Sequence, residues 1–270
     1  MATEPSIAFV VLTWNSQAFA EACIRSILGL GYAHCAVLVF ENGSTDDTPH
    51  ILAQLERDDP RVIVVRSEQN VGTTVSRNTL IRLVPSEFDY VCVLDSDTVV
   101  NREALDTLVS ALERHPEVGV VGPAMANANG EPQLTGRNLP TAGIKLGKVC
   151  PLSRVRERAA QAEIPNAPVE DGLQDVGYLL SACWLVPRHV FDVVGLLDEL
   201  IFYAPEDVDW CLRARLAGYR VCHCPGARII HDYQRISRKR LVSRTNLSHL
   251  AGLAHYFCVH RYLWDASKAV

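Results

Sequence analysis

The chain has 270 residues, of which 48% are hydrophobic and 21% are charged, as in a globular protein with a full core. Its net charge of −5 argues against a general attraction to nucleic acid, so we expect no nucleic-acid partner. No apolar run reaches the roughly 18 residues of a membrane span, and the N-terminus lacks the basic and apolar regions of a secretion signal. The nine cysteines are an odd number scattered through apolar segments, which is typical of reduced thiols in a cytoplasmic protein.

The first 125 residues alternate between short apolar runs and amphipathic segments. The apolar runs predict strands at residues 7–13, 36–41, 61–66, 90–95 and 118–121. The amphipathic segments predict helices at residues 17–28, 47–57, 73–83 and 102–115. This rhythm predicts an α/β fold with a mostly parallel sheet flanked by helices.

The rhythm breaks after Gly122-Pro123. Residues 124–175 are rich in Gly, Pro, Asn and charge and predict a long irregular segment, such as a lid or substrate loop, with one short helix at 153–162. Regular structure is predicted to resume with strands at 179–186, 219–224 and 227–230 and helices at 187–194 and 206–217.

The C-terminal segment contains a helix and a basic run, and each of them allows several functional interpretations. A helix predicted at 241–264 is apolar on one face, and this face could pack on the core, form a homodimer or touch the edge of a membrane. A basic run from Arg235 to Arg244 precedes and enters it. That run could be a solvated face, could close over a diphosphate, or could touch anionic lipid.

The predicted strand at 90–95 ends in Asp95-Ser96-Asp97. Two carboxylates at the carboxyl end of a buried strand lie where open α/β sheets bind ligands, and Mg²⁺ or Mn²⁺ prefers such oxygen ligands. Two other readings stay open at this point. The carboxylates could cap the following helix, or Asp95 could be the nucleophile of a haloacid-dehalogenase-like phosphatase.

Three further strand ends carry candidate binding residues. Thr13-Trp14-Asn15 follows the first strand, where a glycine-rich phosphate loop is absent from the sequence. Glu41 ends the second strand, and its carboxylate could accept a hydrogen bond from the imide of uracil or thymine, or could simply be solvated. Asn70 and Gly72 open a helix that carries Arg77, so an anion could bind at the helix start beside that guanidinium.

Acids also open the helix predicted at 206–217. Glu206, Asp207 and Asp209 suit the positive end of the helix dipole, but one of them could also be a general base. We favour Asp207 as this base, with Glu206 as its competitor, and expect Asp209 to tie down the local structure. His231 follows a short apolar strand and could be a third metal ligand or a surface histidine.

These motifs, in this order, resemble family 2 glycosyltransferases of the GT-A fold, in particular their rhamnosyltransferase-like branch. The matching segments lie at residues 10–15, 41–46, 70–72, 77–78, 94–97, 181–188, 194–199, 205–214, 218–219 and 230–231. Each motif is short, but the ordered set covers about residues 6–235 and is specific. The resemblance implies a mostly parallel sheet flanked by helices, with a smaller C-terminal part that binds the acceptor.

The resemblance also implies roles for the candidates. Asp95 and Asp97 look like the metal-binding pair for Mn²⁺ or Mg²⁺, His231 like a further metal ligand, and Asp207 like the catalytic base that inverts the anomeric centre. Contacts to the nucleotide sugar are implied for Thr13, Trp14, Asn15, Glu41, Asn70, Gly72, Arg77, Asp95, Ser96 and Asp97. Glu41 departs from the family, which usually has an Asp at this position.

The resemblance implies one continuous domain in three parts. They are a nucleotide-sugar-binding half at 1–125, an acceptor and base half at 126–240, and a helical tail at 241–270. The implied donor is a dTDP-, UDP- or GDP-sugar, and the implied acceptor is a saccharide, a lipid-linked saccharide or a small molecule. The alternatives are a non-catalytic sugar-nucleotide-binding scaffold or the phosphatase that uses Asp95.

Overall fold

A computed structural model describes residues 4–232 and 244–269, with side chains in the last helix described from residue 247 onward. The strands of the first half are β1 Ile7–Thr13, β2 Cys35–Asn42, β3 Val62–Ser67, β4 Tyr90–Asp95, β5 Thr98–Val99 and β6 Val118–Ala126. Those of the second half are β7 Pro132–Gln133, β8 Gly136–Arg137, β9 Val169–Glu170, β10 Leu173–Asp175, β11 Tyr178–Leu179, β12 Cys183–Pro187 and β13 Arg220–His231.

The helices alternate with the strands in the first half and frame the site in the second. Their bounds are α1 Ala20–Leu28, α2 Thr48–Asp58, α3 Thr73–Leu83, α4 Arg102–Arg114, α5 Ala142–Val149, α6 Ser153–Ala162, α7 Val190–Val194, α8 Glu206–Leu216 and α9 Arg244–His260. A short 3-10 helix follows at Ala266–Lys268. Among the described residues no helix combines the length and the apolar character that crossing a bilayer requires.

The main sheet has the strand order β3-β2-β1-β4-β12-β6-β13-β10-β9. Strands β1 to β4 are parallel, β12 runs antiparallel between β4 and β6, and β13 lies parallel to β6. Strand β1 lies between β2 and β4, so the chain changes direction along the sheet at this point. The carboxyl ends of such strands form a crevice where open α/β sheets bind ligands.

The register places the candidate residues at this edge. Thr13 pairs with Glu41 across β1 and β2, and Leu12 pairs with Asp95 across β1 and β4. Because parallel strands end at the same edge, the polar ends of β1, β2 and β4 come together there.

Apolar side chains cover both faces of the sheet, which is why its central strands read as continuous apolar runs. Phe9 and Val11 of β1 face the core layer that α1, α2 and α4 cover. Ala8 and Val10 of the same strand face the layer that α3, α7, α8 and α9 cover.

The sequence predicted β1, α3, β4 and α6 with the observed bounds, and placed most other elements of the first half within three residues. Three strand predictions were wrong. The run predicted as one strand at 179–186 forms the short strand β11 and, after a turn, strand β12. Strand β6 continues to Ala126 instead of ending at 121, and residues 220–231 form one strand with a register shift between Cys224 and Arg228. The shift coincides with Pro225-Gly226, whose turn-forming sequence suggested two separate strands.

The segment 124–175 is also less irregular than expected, because it contains helix α5. Thr141 caps this helix by accepting a hydrogen bond from the backbone N–H of Ile144. Gly147 lowers the helical propensity of the segment, yet a Cβ at this position would lie 2.8 Å from Cβ of Ala159 on α6. The glycine that obscured the helix in the sequence therefore allows α5 and α6 to pack closely.

Two leucines of α3 test the core. Leu80 is fully buried and Leu83 is 51% exposed. We expect Leu80→Ala to lower the free energy of unfolding by about 2–5 kcal/mol, and Leu83→Ala to lower it by less than about 1 kcal/mol. Denaturant unfolding of both variants measures the difference, and equal losses would contradict the packing of α3 on the sheet.

Candidate active site

Asp95, Asp97 and His231 meet at the carboxyl edge of the sheet. Asp95 ends β4, Asp97 lies in the turn after it, and His231 ends β13. The pairing of β5 with β13 places His231 opposite Thr98, and the N–H of Asp232 donates to the carbonyl of Asp97 at 2.9 Å. One ligand atom from each of the three side chains lies within 4.8 Å of the others.

Gln133 orients the imidazole of His231. Its Oε1 lies 2.7 Å from Nδ1 of His231, and its Nε2 donates to the His231 carbonyl at 2.7 Å. With Oε1 as the acceptor, Nδ1 carries the proton, and Nε2 is the nitrogen that faces Asp97 Oδ1 at 3.4 Å. An outer hydrogen bond of this kind is how proteins fix the tautomer of a metal-ligating histidine.

The electrostatics of this group suit a bound cation. Asp97 Oδ1 is buried and has no hydrogen-bond partner among the described residues. Burial raises the pKa of Asp95, with Arg77 opposing and Asp97 adding to the shift. Burial lowers the pKa of His231, but the neighbouring Asp97 and Asp95 outweigh it and raise the pKa overall. Two carboxylates and an imidazole in this arrangement could hold a divalent metal ion.

Arg77 is almost fully buried, with 1% of its surface exposed. Its Nη2 donates to Asp95 Oδ1 at 2.5 Å and to the carbonyl of Ser181 at 3.1 Å. Its Nη1 donates to Glu206 Oε1 at 3.1 Å, and the Ser181 hydroxyl donates to the same oxygen at 2.9 Å. The sequence suggested a guanidinium that faces the cleft, or a surface charge, whereas the structure places it beneath the cleft between two carboxylates.

The three acids at the start of α8 have different surroundings. Asp209 is buried and binds Arg213 Nε at 2.9 Å and His260 Nε2 at 2.8 Å, so it ties α8 to α9 as the sequence suggested it would tie down local structure. Glu206 is buried against Arg77. Burial is the main cause that raises the pKa of its carboxyl, and the neighbouring charge of Asp207 raises it further. The Asp207 carboxylate has no ion-pair partner within 4 Å in the described part of the chain, and its Oδ1 accepts the N–H of Val208.

Burial raises the pKa of Asp207, and Lys145, Arg137 and Arg77 oppose this shift. A carboxylate that is only partly buried and not held in an ion pair can accept a proton from a substrate hydroxyl. Of the two candidates for the base, the geometry therefore favours Asp207 over Glu206.

The ends of β1 and β2 form a second polar group. Thr13 Oγ1 donates to the carbonyl of Phe40 at 2.9 Å, and Glu41 Oε1 accepts the N–H of Ser44 at 2.6 Å. Asn15 has a positive φ of 49°, which asparagine tolerates, and its N–H donates to Ser44 Oγ at 3.0 Å. Glu41 is buried rather than solvated, so the alternative of a solvated strand-end acid was wrong.

Trp14 and Ser96 flank these strand ends. Trp14 is 44% exposed, and Ser96 Oγ lies 2.8 Å from Ser16 Oγ. The indole of Trp14 is thus available for an incoming ligand, whereas the Ser96 hydroxyl already has a protein partner.

Asn70 and Gly72 are bound mainly by protein groups. Asn70 Oδ1 accepts the N–H of Gly72 at 2.9 Å, and the N–H of Thr73 donates to the carbonyl of Phe202 at 2.7 Å. Gly72 has a φ of +91°, and a Cβ there would lie 2.5 Å from the Phe202 carbonyl oxygen. The glycine therefore serves the close approach of the chain at Phe202, and these two N–H groups are not directed at a ligand.

Sequence reasoning missed Gln133 and the contacts of Ser181. Gln133 lies in the segment predicted to be irregular, and no local signal connects it to His231, 98 residues away. Ser181 begins one of the matched motifs, so its position could have been found, although its contact with Glu206 could not.

Comparisons with known proteins agree with this fold. Residues 8–161 match the model of glycosyl transferase family 2. The chain belongs to this family. Over 269 residues it is 28% identical to the N-acetylglucosaminyl-diphospho-decaprenol L-rhamnosyltransferase of Mycobacterium tuberculosis, and the match covers 95% of this chain and 83% of that protein. Over 130 residues it is 28% identical to the putative teichuronic acid biosynthesis glycosyltransferase TuaG of Bacillus subtilis, covering 48% of this chain and 51% of that one.

Two solved structures share the fold. GalNAc-T7 with UDP, GalNAc and Mn²⁺ superposes with a TM-score of 0.70 at 15% identity, over 95% of this chain and 48% of that one. A mannosyltransferase of Pyrobaculum calidifontis with GDP-Man and Mn²⁺ gives a TM-score of 0.65 at 16% identity, over 96% of this chain and 64% of that one. The chain thus spans less than two thirds of either protein. The predicted α/β fold of GT-A type and the predicted family are confirmed, and family membership makes the chain a nucleotide-sugar glycosyltransferase.

The buried position of Arg77 yields a stability prediction. Arg77→Met should lower the free energy of unfolding by about 3–5 kcal/mol, because it leaves Asp95 and Glu206 without their buried counter-charge. Arg82→Met on the same helix is the matched control, since Arg82 is exposed and pairs with Glu199 at 2.8 Å. Its effect should stay below about 1 kcal/mol. Denaturant titration compares the two, and a small loss for Arg77→Met would show that the guanidinium does not stabilise these carboxylates.

Proposed function

We propose that the chain is an inverting, metal-dependent glycosyltransferase that moves a sugar from a nucleotide diphosphate to a hydroxyl of a lipid-linked saccharide. One observation carries this proposal: a candidate metal group and an available carboxylate, Asp207, occur in one site, where Arg77 bonds both Asp95 of the metal group and Glu206, the residue before Asp207. The relative in M. tuberculosis supports the acceptor class, because its name specifies a diphospho-decaprenol-linked sugar and a rhamnosyl transfer.

Asp95, Asp97 and His231 would hold the cation, for which Mn²⁺ is our first choice and Mg²⁺ the second. Asp97 Oδ1, which has no hydrogen-bond partner among the described residues, and the mixed oxygen and nitrogen ligands support this assignment. When bound, the divalent cation supplies charge stabilisation for the diphosphate of the leaving group.

The residues at the ends of β1, β2 and β4 would bind the nucleotide. We assign Trp14 and Asn15 to contacts along the nucleoside, Glu41 to the edge of a pyrimidine, and Ser96 to the neighbourhood of the diphosphate. Thr13, Asn70, Gly72 and Arg77 then shape the site from behind, because their described hydrogen bonds go to protein groups.

Asp207 would act as the general base. As the acceptor oxygen forms its bond to the anomeric carbon, the Asp207 carboxylate takes the hydroxyl proton. The bond between the anomeric carbon and the β-phosphate oxygen breaks, and the nucleoside diphosphate leaves with the electron pair. Attack from the face opposite the leaving group inverts the anomeric centre. Inverting hydrolases react in the same way, but there the attacking oxygen belongs to water instead of an acceptor hydroxyl.

The sugar of the donor is proposed from the relatives. A dTDP-sugar, with rhamnose as the first choice, is our leading donor, and UDP- and GDP-sugars are the competitors. We place the reaction in the cytoplasm, with peripheral contact to the inner membrane face where the acceptor's lipid lies. A homodimer is a further prediction.

The nucleotide and the metal can be tested together by thermal unfolding with dTDP, UDP or GDP, each with and without Mn²⁺. A ligand that binds only the folded state raises the unfolding temperature, so one nucleotide should give a rise that requires Mn²⁺. Asp97→Asn should abolish this rise. Asp192→Asn, which changes an exposed carboxylate on α7, should retain it. If Asp97→Asn keeps the full metal-dependent rise, the assignment of the metal site is wrong.

The base can be tested with Asp207→Asn. Transfer should fall by about 10²- to 10⁴-fold, because the acceptor proton loses its receiving group. The metal-dependent nucleotide shift should remain, and the unfolding temperature at neutral pH should not fall, because burial disfavours the charged form of this carboxyl. Asp192→Asn is again the control for transfer rate. Unchanged transfer by Asp207→Asn would move the role to Glu206 or favour a non-catalytic binding protein.

A further inference from the structure

Beside Asp207 lies a group of cations that the proposed transfer step does not use. Lys145 of α5 and Arg137 of β8 both interact electrostatically with the Asp207 carboxylate. Neither belongs to the metal group or to the strand ends that we assign to the nucleotide. Both lie between β8 and α5, within the segment that the sequence predicted as a lid or substrate loop.

Glu163 and Asp207 attract the Lys145 ammonium electrostatically, but neither lies within salt-bridge distance of it. Its neighbours Arg137 and Lys148 share the carboxylate of Glu163, at 3.5 Å and 2.7 Å from Oε2. In the described chain, Lys145 forms neither a salt bridge within 4 Å nor a side-chain hydrogen bond. Lys145 is half-buried, and burial lowers the pKa of its ammonium although the charges of Glu163 and Asp207 oppose this shift.

A half-buried ammonium without a close ion-pair partner carries a desolvation cost, and an anion bound at short distance would offset this cost. Glu163 cannot fully neutralise the group, since one carboxylate faces two other cations. Its own Oε1 is buried and has no hydrogen-bond partner among the described residues. Among the described residues, the cations Lys145, Arg137 and Lys148 therefore outnumber the two carboxylates of Glu163 and Asp207 that attract them.

Apolar side chains on and near α5, the helix that carries Lys145, are exposed to solvent. Leu146 is 62% exposed and Val149 is 79% exposed on α5, and Leu152 before α6 is 65% exposed. The ring of Trp264, 69% exposed, lies beside Gly143 of α5. A ligand that joins an anionic group to an apolar chain would match both the unpaired ammonium and this exposed surface.

We propose that Lys145, assisted by Arg137, binds a phosphate or diphosphate group of the acceptor and so positions the acceptor hydroxyl at Asp207. This inference rests on the proposed function, because it assigns the second substrate of the same site. The phosphate could belong to a lipid carrier or to a water-soluble phosphorylated saccharide. The ammonium would recognise either one, and the exposed leucine and valine side chains of α5 would favour the first.

Direct binding tests the subsite without requiring turnover. A short alkyl diphosphate is titrated calorimetrically into the protein in EDTA, so that a divalent metal at Asp95 and Asp97 cannot contribute. Lys145→Met keeps the aliphatic stem but removes the charge, and should weaken binding about 10- to 100-fold. Lys145→Arg should restore most of the affinity. Arg154→Met, an exposed cation on the adjacent helix α6, should change nothing. Absence of diphosphate binding to the wild type, or equal affinities for wild type and Lys145→Met, would overturn the proposal.

Transfer kinetics then separate acceptor from donor. With a diphosphate-linked saccharide, Lys145→Met should raise the acceptor KM about 10-fold or more, while the metal-dependent shift by the nucleotide stays unchanged. With a neutral saccharide that lacks the phosphate, the variant and the wild type should have equal KM values. A lost nucleotide shift with an unchanged acceptor KM would assign Lys145 to the donor and overturn the proposal.

Two further comparisons identify the failing hypothesis and the source of the phosphate. If the wild type shows neither a metal-dependent nucleotide shift nor transfer, the proposed function itself fails. If it transfers sugar but Lys145→Met affects charged and neutral acceptors alike, only the subsite fails. A lower KM for long-chain than for short-chain diphosphates, lost in Leu146→Ser, supports the lipid carrier. Equal KM values for both chains support the soluble phosphorylated saccharide as the source of the same anion.

Discussion

The buried guanidinium of Arg77 connects the two sides of the active site. It lies between Asp95, at the end of β4, and Glu206, at the start of α8, and it also binds the carbonyl of Ser181 before β12. Glu206 and the guanidinium would each be expensive to bury alone, but together with the partly exposed Asp95 they satisfy one another. Arg77 therefore connects the end of β4, which carries the candidate metal ligand Asp95, to the start of α8, which carries the candidate base.

The charges on the two sides of the site have opposite sign. Asp95 and Asp97 face the edge of the sheet where a nucleotide diphosphate would bind, and Arg77 compensates Asp95 only in part. These carboxylates alone would repel a diphosphate, so binding of an anionic donor requires an added cation at this position. Around Asp207 the imbalance is reversed, because Lys145 and Arg137 supply positive charge there. A metal-dependent donor site and a metal-independent anion site can thus lie on opposite sides of one reaction centre.

The sequence predicted the first half of the fold well, because buried parallel strands such as β1 and β4 are unbroken apolar runs that end in polar motifs. It also brought Asp95, Asp97 and His231 into one hypothesis, and these side chains do meet. It could not predict that Arg77 would be buried, since its partner Glu206 lies 129 residues away. It missed helix α5 because glycine weakens the local signal, while the reason for Gly147 is a contact with a helix further along the chain. Long-range partners thus set the features that local periodicity could not predict.

The C-terminal helix shows how a tail can act on the site from a distance. Of the three readings of its apolar face, core packing describes the buried part, because Tyr256 is fully buried and its hydroxyl lies 2.6 Å from that of Tyr262. Gly252 allows α9 to approach the carbonyl of Ala204, just before α8, and His260 binds the buried Asp209. The candidate base Asp207 lies between these two contacts along the chain. Packing of α9 therefore fixes the start of α8 in addition to the bond between Arg77 and Glu206, and neither contact involves the Asp207 carboxylate.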